Sequence, residues 1–87
     1  LETVYDIIAE RKLNPKEESY TNSLFEKGLD EILKKLGEEC TEIIIAAKNP
    51  DAENIKFEIS DFMYHVMLLM TEKNITWNDI ASELAQR

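Results

Sequence analysis

Apolar residues recur along this chain at helical spacing, and polar or Pro-containing breaks divide them into four or five segments. Over 1–12, Leu1, Val4, Tyr5 and Ile8 fall on one face, and the segment ends in Arg11-Lys12. The polar stretch 13–21 contains Asn14-Pro15 and predicts a loop that closes on Ser19 or Thr21 as a helix N-cap. From 22 to 48, Leu24, Phe25, Leu29, Ile32, Leu33, Leu36, Cys40, Ile43, Ile44 and Ala47 lie near one stripe, interrupted by Gly28 and Gly37. A glycine inside a helix costs about 1 kcal/mol against alanine, so each calls for a reason. Gly28 is a candidate break between a short helix and the main one. Gly37 is a candidate point of close approach for a backbone or ligand. Asn49-Pro50-Asp51 ends this segment and opens another at 55–70, in which only Tyr64 and His65 break the apolar run from Phe62 to Met70. A helix apolar nearly all round is central or sits in a subunit interface. Thr76 to Asp79 reads as a capping box ahead of a last helix reaching about residue 86, with Trp77, Ile80 and Leu84 buried. The fold class is all-α, one domain over 1–87.

Acidic positions change this picture most. Glu39 and Glu42 are three apart, as are Glu58 and Asp61, so each pair shares a helix face. If the two segments fold back at Pro50, Glu42 lies level with Glu58 and Glu39 with Asp61, about 12 and 16 Å from the turn. Four carboxylates then converge beside apolar stripes, where an uncompensated charge costs several kcal/mol. With 18 acidic residues in 87, such spacing also arises by chance on solvated faces. Apolar flanks and level pairing favour a cation site.

Ligand type then selects the ion. Oxygen donors without thiolate favour Mg²⁺, with Mn²⁺ possible in its place. Di-iron bundles need Glu-x-x-His on two helices, whereas the single histidine, His65, follows Asp61 by four. Zinc lacks its Cys and His ligands, and no calcium loop of the EF-hand type is present. Mg²⁺ keeps part of its shell for water and phosphate, which points to phosphoanhydride chemistry on a nucleotide-like substrate. Lys27, Lys34, Lys35 and Lys48 are candidates for holding phosphate charge, and each alone also reads as a solvated helix lysine. His65 reads as a hydrogen-bonded core residue or as a general base, and Cys40 as a small core side chain.

Net charge is −8, which argues against nucleic-acid and anionic-membrane partners. One cysteine forms no internal disulfide, and no apolar span approaches membrane length, so a cytoplasmic location is expected. The chain begins at Leu1 without Met, as a trimmed terminus or a piece of a longer polypeptide does.

Glu-Ser-Tyr-Thr at 18–21, Lys-Gly at 27–28, Lys-Lys-Leu-Gly-Glu-Glu-Cys-Thr-Glu at 34–42, Ile-Ala-Ala-Lys-Asn at 45–49 and Glu-x-x-Asp-x-x-Tyr-His at 58–65 resemble the phosphoribosyl-ATP pyrophosphatases. These belong to the all-α, MazG-like nucleoside triphosphate pyrophosphatases, and the likeness runs over nearly the whole chain. It implies Mg²⁺-dependent hydrolysis of 1-(5-phosphoribosyl)-ATP to 1-(5-phosphoribosyl)-AMP and pyrophosphate, the second step of histidine biosynthesis, by a cytoplasmic homodimer. Carried over residue by residue, it implies metal ligation by Glu39, Glu42, Glu58 and Asp61, with Glu38 or Glu39 taking the proton of the attacking water. Lys35, Lys48 and Asn49 are implied for the phosphates, with Lys27 as a further cation. Arg11, Lys12, Ser19, Tyr20 and Thr21 are implied for the phosphoribosyl end. Fusion to a phosphoribosyl-AMP cyclohydrolase domain is a further implication. Two alternatives keep the same helices: a house-cleaning pyrophosphatase for other nucleotides, and a non-catalytic helical dimerisation module.

Overall fold

Five helices carry the chain: α1 (Glu2–Leu13), α2 (Tyr20–Lys27), α3 (Leu29–Ala47), α4 (Ala52–Glu72) and α5 (Trp77–Ala85). The structure is a computed structural model and describes residues 1–16, 19–49 and 52–87. Glu17 and Glu18 in the predicted loop, and Pro50 and Asp51 at the predicted break, lie outside the described residues. Among the described residues there is no strand, so the all-α expectation is met.

Helix starts follow from local chemistry. Ser19 is the N-cap of α2, and its Oγ accepts from the Asn22 backbone N–H at 3.3 Å. Thr21, the other capping candidate, is instead inside the helix and buried. Thr76 caps α5 in a reciprocal box: the Asp79 N–H donates to Thr76 Oγ1 (3.2 Å) and the Thr76 N–H to Asp79 Oδ2 (2.8 Å). The segment read as one helix over 22–48 is two, divided at Gly28. There φ is +92° and ψ −176°, a combination essentially confined to glycine.

The two glycines therefore predict opposite results. Gly28→Ala is expected to lose about 2 kcal/mol of unfolding free energy through backbone strain alone, since a Cβ there meets no atom within 4 Å. Gly37→Ala is expected to gain up to about 1 kcal/mol from helix propensity, because a Cβ there is equally unhindered. Among the described residues, none makes the close approach anticipated at Gly37. Urea denaturation midpoints of the two variants read both; a loss at Gly37→Ala would mean that something outside the chain packs on that residue.

Four residues link α3 to α4, so α4 runs back along α3, and this pair makes the most extensive contact in the molecule. The core gathers Ile8, Leu24, Ile32, Met67, Leu68 and Met70, with Tyr5, Phe25, Tyr64, Trp77 and Ile80 packed against it. Among the described side chains, every buried one of α4 thus follows Asp61. Beyond that point the α3–α4 hairpin leaves Ile44, Ile45 and Phe57 at least 60% exposed. The radius of gyration, 14.0 Å, exceeds the ~12 Å expected of a compact chain this long, consistent with a projecting hairpin. Leu84, read as buried, is 62% exposed, because only the first turns of α5 reach the core.

Candidate metal and phosphate site

Glu39 on α3 and Asp61 on α4 meet across the hairpin, as counting outward from Pro50 predicts. With His65 they form a group whose ligand atoms lie within 4.8 Å of one another. Partial burial pushes the Glu39 carboxyl up to about 7; a hydrogen bond and like charge from Asp61 and the charge of Glu58 add to this, and Lys35 opposes it. One proton is thereby favoured between two carboxylates, the behaviour expected of like charges brought close. Glu58 is felt electrostatically but lies outside the three-residue group, and Glu42 is exposed and also outside it. Level register does not by itself make residues face each other. Glu42 and Glu58, level by the same count, both lie outside the group that Glu39 and Asp61 form with His65.

A cationic shoulder borders the pair. Lys35 Nζ lies 3.5 Å from Glu38 Oε2, and that carboxylate, with Tyr20, raises the Lys35 ammonium. The Tyr20 phenol is pushed up chiefly by partial burial, with Lys35 lowering it and Asp61 and Glu39 raising it. Tyr20, Lys35, Glu39 and Asp61 therefore surround one small region.

Behind it lies a polar network that the sequence did not reveal as part of the site. His65 is 2% exposed. Its Nδ1 lies 2.8 Å from the Asp61 carbonyl oxygen and 3.6 Å from Asp61 Oδ1, and its Nε2 lies 2.9 Å from Tyr20 Oη. Both ring nitrogens are engaged, which leaves the carboxylates as the available donor set. Such hard oxygen donors, crowded enough to hold a proton near neutrality, suit a divalent cation of the Mg²⁺ kind. Thr21 Oγ1 is hydrogen-bonded to Tyr64 Oη, so this hydroxyl points into the fold, away from the ligand role given it from sequence. No short-range signal marks the Tyr20–His65 pair, because 45 residues separate its members.

The sequence pattern that defines the phosphoribosyl-ATP pyrophosphohydrolases matches residues 1–87. The chain belongs to the phosphoribosyl-ATP pyrophosphohydrolase family. It is 58% identical to the histidine biosynthesis bifunctional protein HisIE of Caldanaerobacter subterraneus subsp. tengcongensis, across 100% of this chain and 42% of that protein. It is 53% identical to the phosphoribosyl-ATP pyrophosphatase of Limosilactobacillus fermentum, across 100% of this chain and 82% of that one. The phosphoribosyl-ATP pyrophosphatase of Bacillus cereus strain AH187 is 56% identical over 84 residues, 78% of its length. The chain thus spans less than half of the bifunctional relative and about four fifths of the two others.

Within this phosphoribosyl-ATP pyrophosphohydrolase domain the remaining candidates do not all gather at the acids. Arg11 Nη1 donates to Ser19 Oγ at 3.3 Å, and the Arg11 carbonyl accepts from Asn22 Nδ2 at 2.7 Å, which ties α1 to the start of α2. Ser19 and Tyr20 also border an open pocket with Pro15, Lys16, Asn22 and Glu26. Lys12 is held at the far end of α4: its Nζ donates to the Thr71 carbonyl at 3.4 Å, pairs with Glu72 at 3.5 Å and lies over the Phe25 ring. Ten residues of helix put Thr71 about 15 Å from Asp61, so Lys12 serves packing rather than this site. Lys27 is exposed at the end of α2. Lys48 and Asn49 are exposed where α3 ends, nine or more residues beyond Glu39. Of the sequence-predicted cations, Lys35 alone has its charge felt at Glu39 and Tyr20.

Proposed function

We propose that this domain hydrolyses 1-(5-phosphoribosyl)-ATP to 1-(5-phosphoribosyl)-AMP and pyrophosphate, with Glu39 and Asp61 at its centre. The observation that carries the site assignment is the Glu39–Asp61 pair beside Lys35, in a chain of a pyrophosphohydrolase family. Glu39 and Asp61 would hold Mg²⁺ or Mn²⁺, with Glu58 and Glu42 completing the carboxylate set. When bound, the ion supplies charge neutralisation at the phosphates and a more acidic water.

The chain's own residues do the rest. Lys35 meets phosphate oxygens, and Glu38, 3.5 Å from its ammonium, holds the lysine in place. One Glu39 oxygen accepts the proton released as water attacks phosphorus, with pyrophosphate as leaving group. Lys48 and Asn49, exposed at the hairpin end, are proposed for the distal phosphates, and Arg11 and Ser19 for the phosphoribosyl side.

The proposal includes a cytoplasmic homodimer, free-standing or fused to a cyclohydrolase domain. Support for the dimer comes from the exposed apolar positions Ile44, Ile45, Phe57 and Ile59 on the projecting hairpin, an apolar surface of the kind that marks partner contacts. Fusion is supported by the bifunctional relative. No described helix is long and apolar enough to cross a membrane.

Pyrophosphate release with Mg²⁺ present, measured on phosphoribosyl-ATP, ATP and a panel of deoxynucleotides, tests this reading. Release from phosphoribosyl-ATP at a kcat/KM at least about a hundredfold above the others is expected. A preference for deoxynucleotides would move the domain to a house-cleaning role. Silence on every substrate, with no Mg²⁺ effect on melting, would leave a helical module without catalysis.

A further inference from the structure

A neutral imidazole has one donor nitrogen and one acceptor nitrogen. A carbonyl oxygen can only accept, so the 2.8 Å contact to the Asp61 carbonyl assigns the proton to His65 Nδ1. Nε2 is then the acceptor, and Tyr20 Oη–H donates to it across 2.9 Å. The ring has little freedom to reverse this. It is buried and sits edge-on to both Tyr20 and Tyr64, with centroids 5.9 and 5.6 Å away.

The half-exposed Tyr20 phenol therefore directs its only proton inward. Its remaining lone pairs lie beside the group that His65 forms with Glu39 and Asp61, whose charges, with that of Lys35, are felt at the phenol. A phosphate oxygen placed there would find no proton on Tyr20 to accept. A water would, in contrast, be held between acceptors: the phenol oxygen on one side and the carboxylates on the other.

We infer that Tyr20 accepts a hydrogen bond from the attacking water, and that His65 is the positioning residue that fixes the phenol in this acceptor-only state. This rests on the proposed hydrolytic function, and it gives Tyr20 to the attacking water rather than to the phosphoribosyl end expected from sequence. In the step itself the water oxygen bonds to phosphorus, the bond to pyrophosphate breaks, and one water proton passes to Glu39. The other O–H of the water points to Tyr20 Oη, which neither gains nor loses a proton.

Two measurements test the inference. The first needs no substrate. His65 is the chain's single histidine, so nitrogen NMR of histidine-labelled protein at about pH 8 reads its tautomer directly. The Nδ1–H form is expected, and a dominant Nε2–H form overturns the inference whether or not the domain is an enzyme.

The second is kinetic, with wild-type turnover of phosphoribosyl-ATP as its reference. Tyr20→Phe is expected to lower kcat about tenfold with KM changed less than about twofold. His65→Phe should match it, and the double variant should fall less than about threefold further, because the two act as one unit. His65→Gln, which keeps a donor for the carbonyl and an acceptor for the phenol, should recover to within about threefold of wild type. Should His65→Phe fail to fold, Tyr20→Phe and His65→Gln decide between them. A raised KM at unchanged kcat in Tyr20→Phe makes the phenol a substrate ligand and overturns the inference. Additive losses in the double variant, or no recovery in His65→Gln, overturn it as well.

Discussion

Asp61→Ala is expected to lose pyrophosphate release by about a thousandfold or more, since each tenfold step is only about 1.4 kcal/mol of barrier and a ligand to the ion carries several. Glu39→Ala should do the same. What makes the result diagnostic is its separation from stability. The Asp61 carboxylate meets Glu39 and lies 3.6 Å from His65 Nδ1, while its backbone carbonyl holds the same nitrogen at 2.8 Å, so alanine removes the carboxylate contacts and leaves the shorter backbone bond. Two carboxylates crowded together repel when both are ionised. Without a divalent ion at about pH 8, Asp61→Ala should therefore melt at the wild-type temperature or a few degrees above it. Loss of activity with a lowered melting temperature would instead mark Asp61 as a structural residue. Near-wild-type kcat in both variants would remove the acid pair from the mechanism.

The second large effect is the dependence of stability on pH and Mg²⁺. Glu39 titrates at about 7 in the folded chain against an ordinary carboxylate value of 4.5. Below about 4.5 the group is protonated in both states and contributes no difference. Between 4.5 and 7 the unfolded chain releases its proton while the folded chain keeps it, so stability falls as pH rises, and above 7 the loss is complete. A shift of this size is about 3 kcal/mol at face value, and solvent screening at a partly exposed carboxyl reduces it to about 1 to 2. For a domain this small the melting temperature of the metal-free protein should drop by about 5 to 10 °C between pH 5 and pH 8. Mg²⁺ should restore most of that drop at pH 8 and little at pH 5, because it binds the ionised pair and competes with the proton. Glu39→Gln separates this from the general effect of net charge −8: it should flatten the slope and abolish the Mg²⁺ response. An equal Mg²⁺ response at both pH values would place the ion elsewhere.

Local patterns carried most of the fold. The Thr76–Asp79 box, the Gly28 break and the all-α class follow from interactions within a few residues, and such interactions leave their mark in sequence. The Glu39–Asp61 meeting was also legible, because a short link forces antiparallel return and equal counting from the turn sets equal height. Rotation about the helix axes was not: Glu42 and Glu58, level by count, lie outside the group that Glu39 and Asp61 form with His65. Nor was the role of Lys12, which reads as a free cation until α4 brings the Thr71 carbonyl and Glu72 to it. His65 looked like either a core residue or a base. It is a core residue in burial, yet Tyr20 and the Asp61 backbone connect it to the acids across a distance no sequence window spans.

The acids of α4 lie one to two turns before its buried stretch, and this has an evolutionary consequence. Buried positions from His65 to Thr71 anchor the helix, whereas Glu58 and Asp61 are only partly buried. Substitutions near the acids can then alter substrate preference with little loss of stability, easing the usual trade-off between innovation and folding. A domain arranged this way can diversify its chemistry while its foundation stays unchanged.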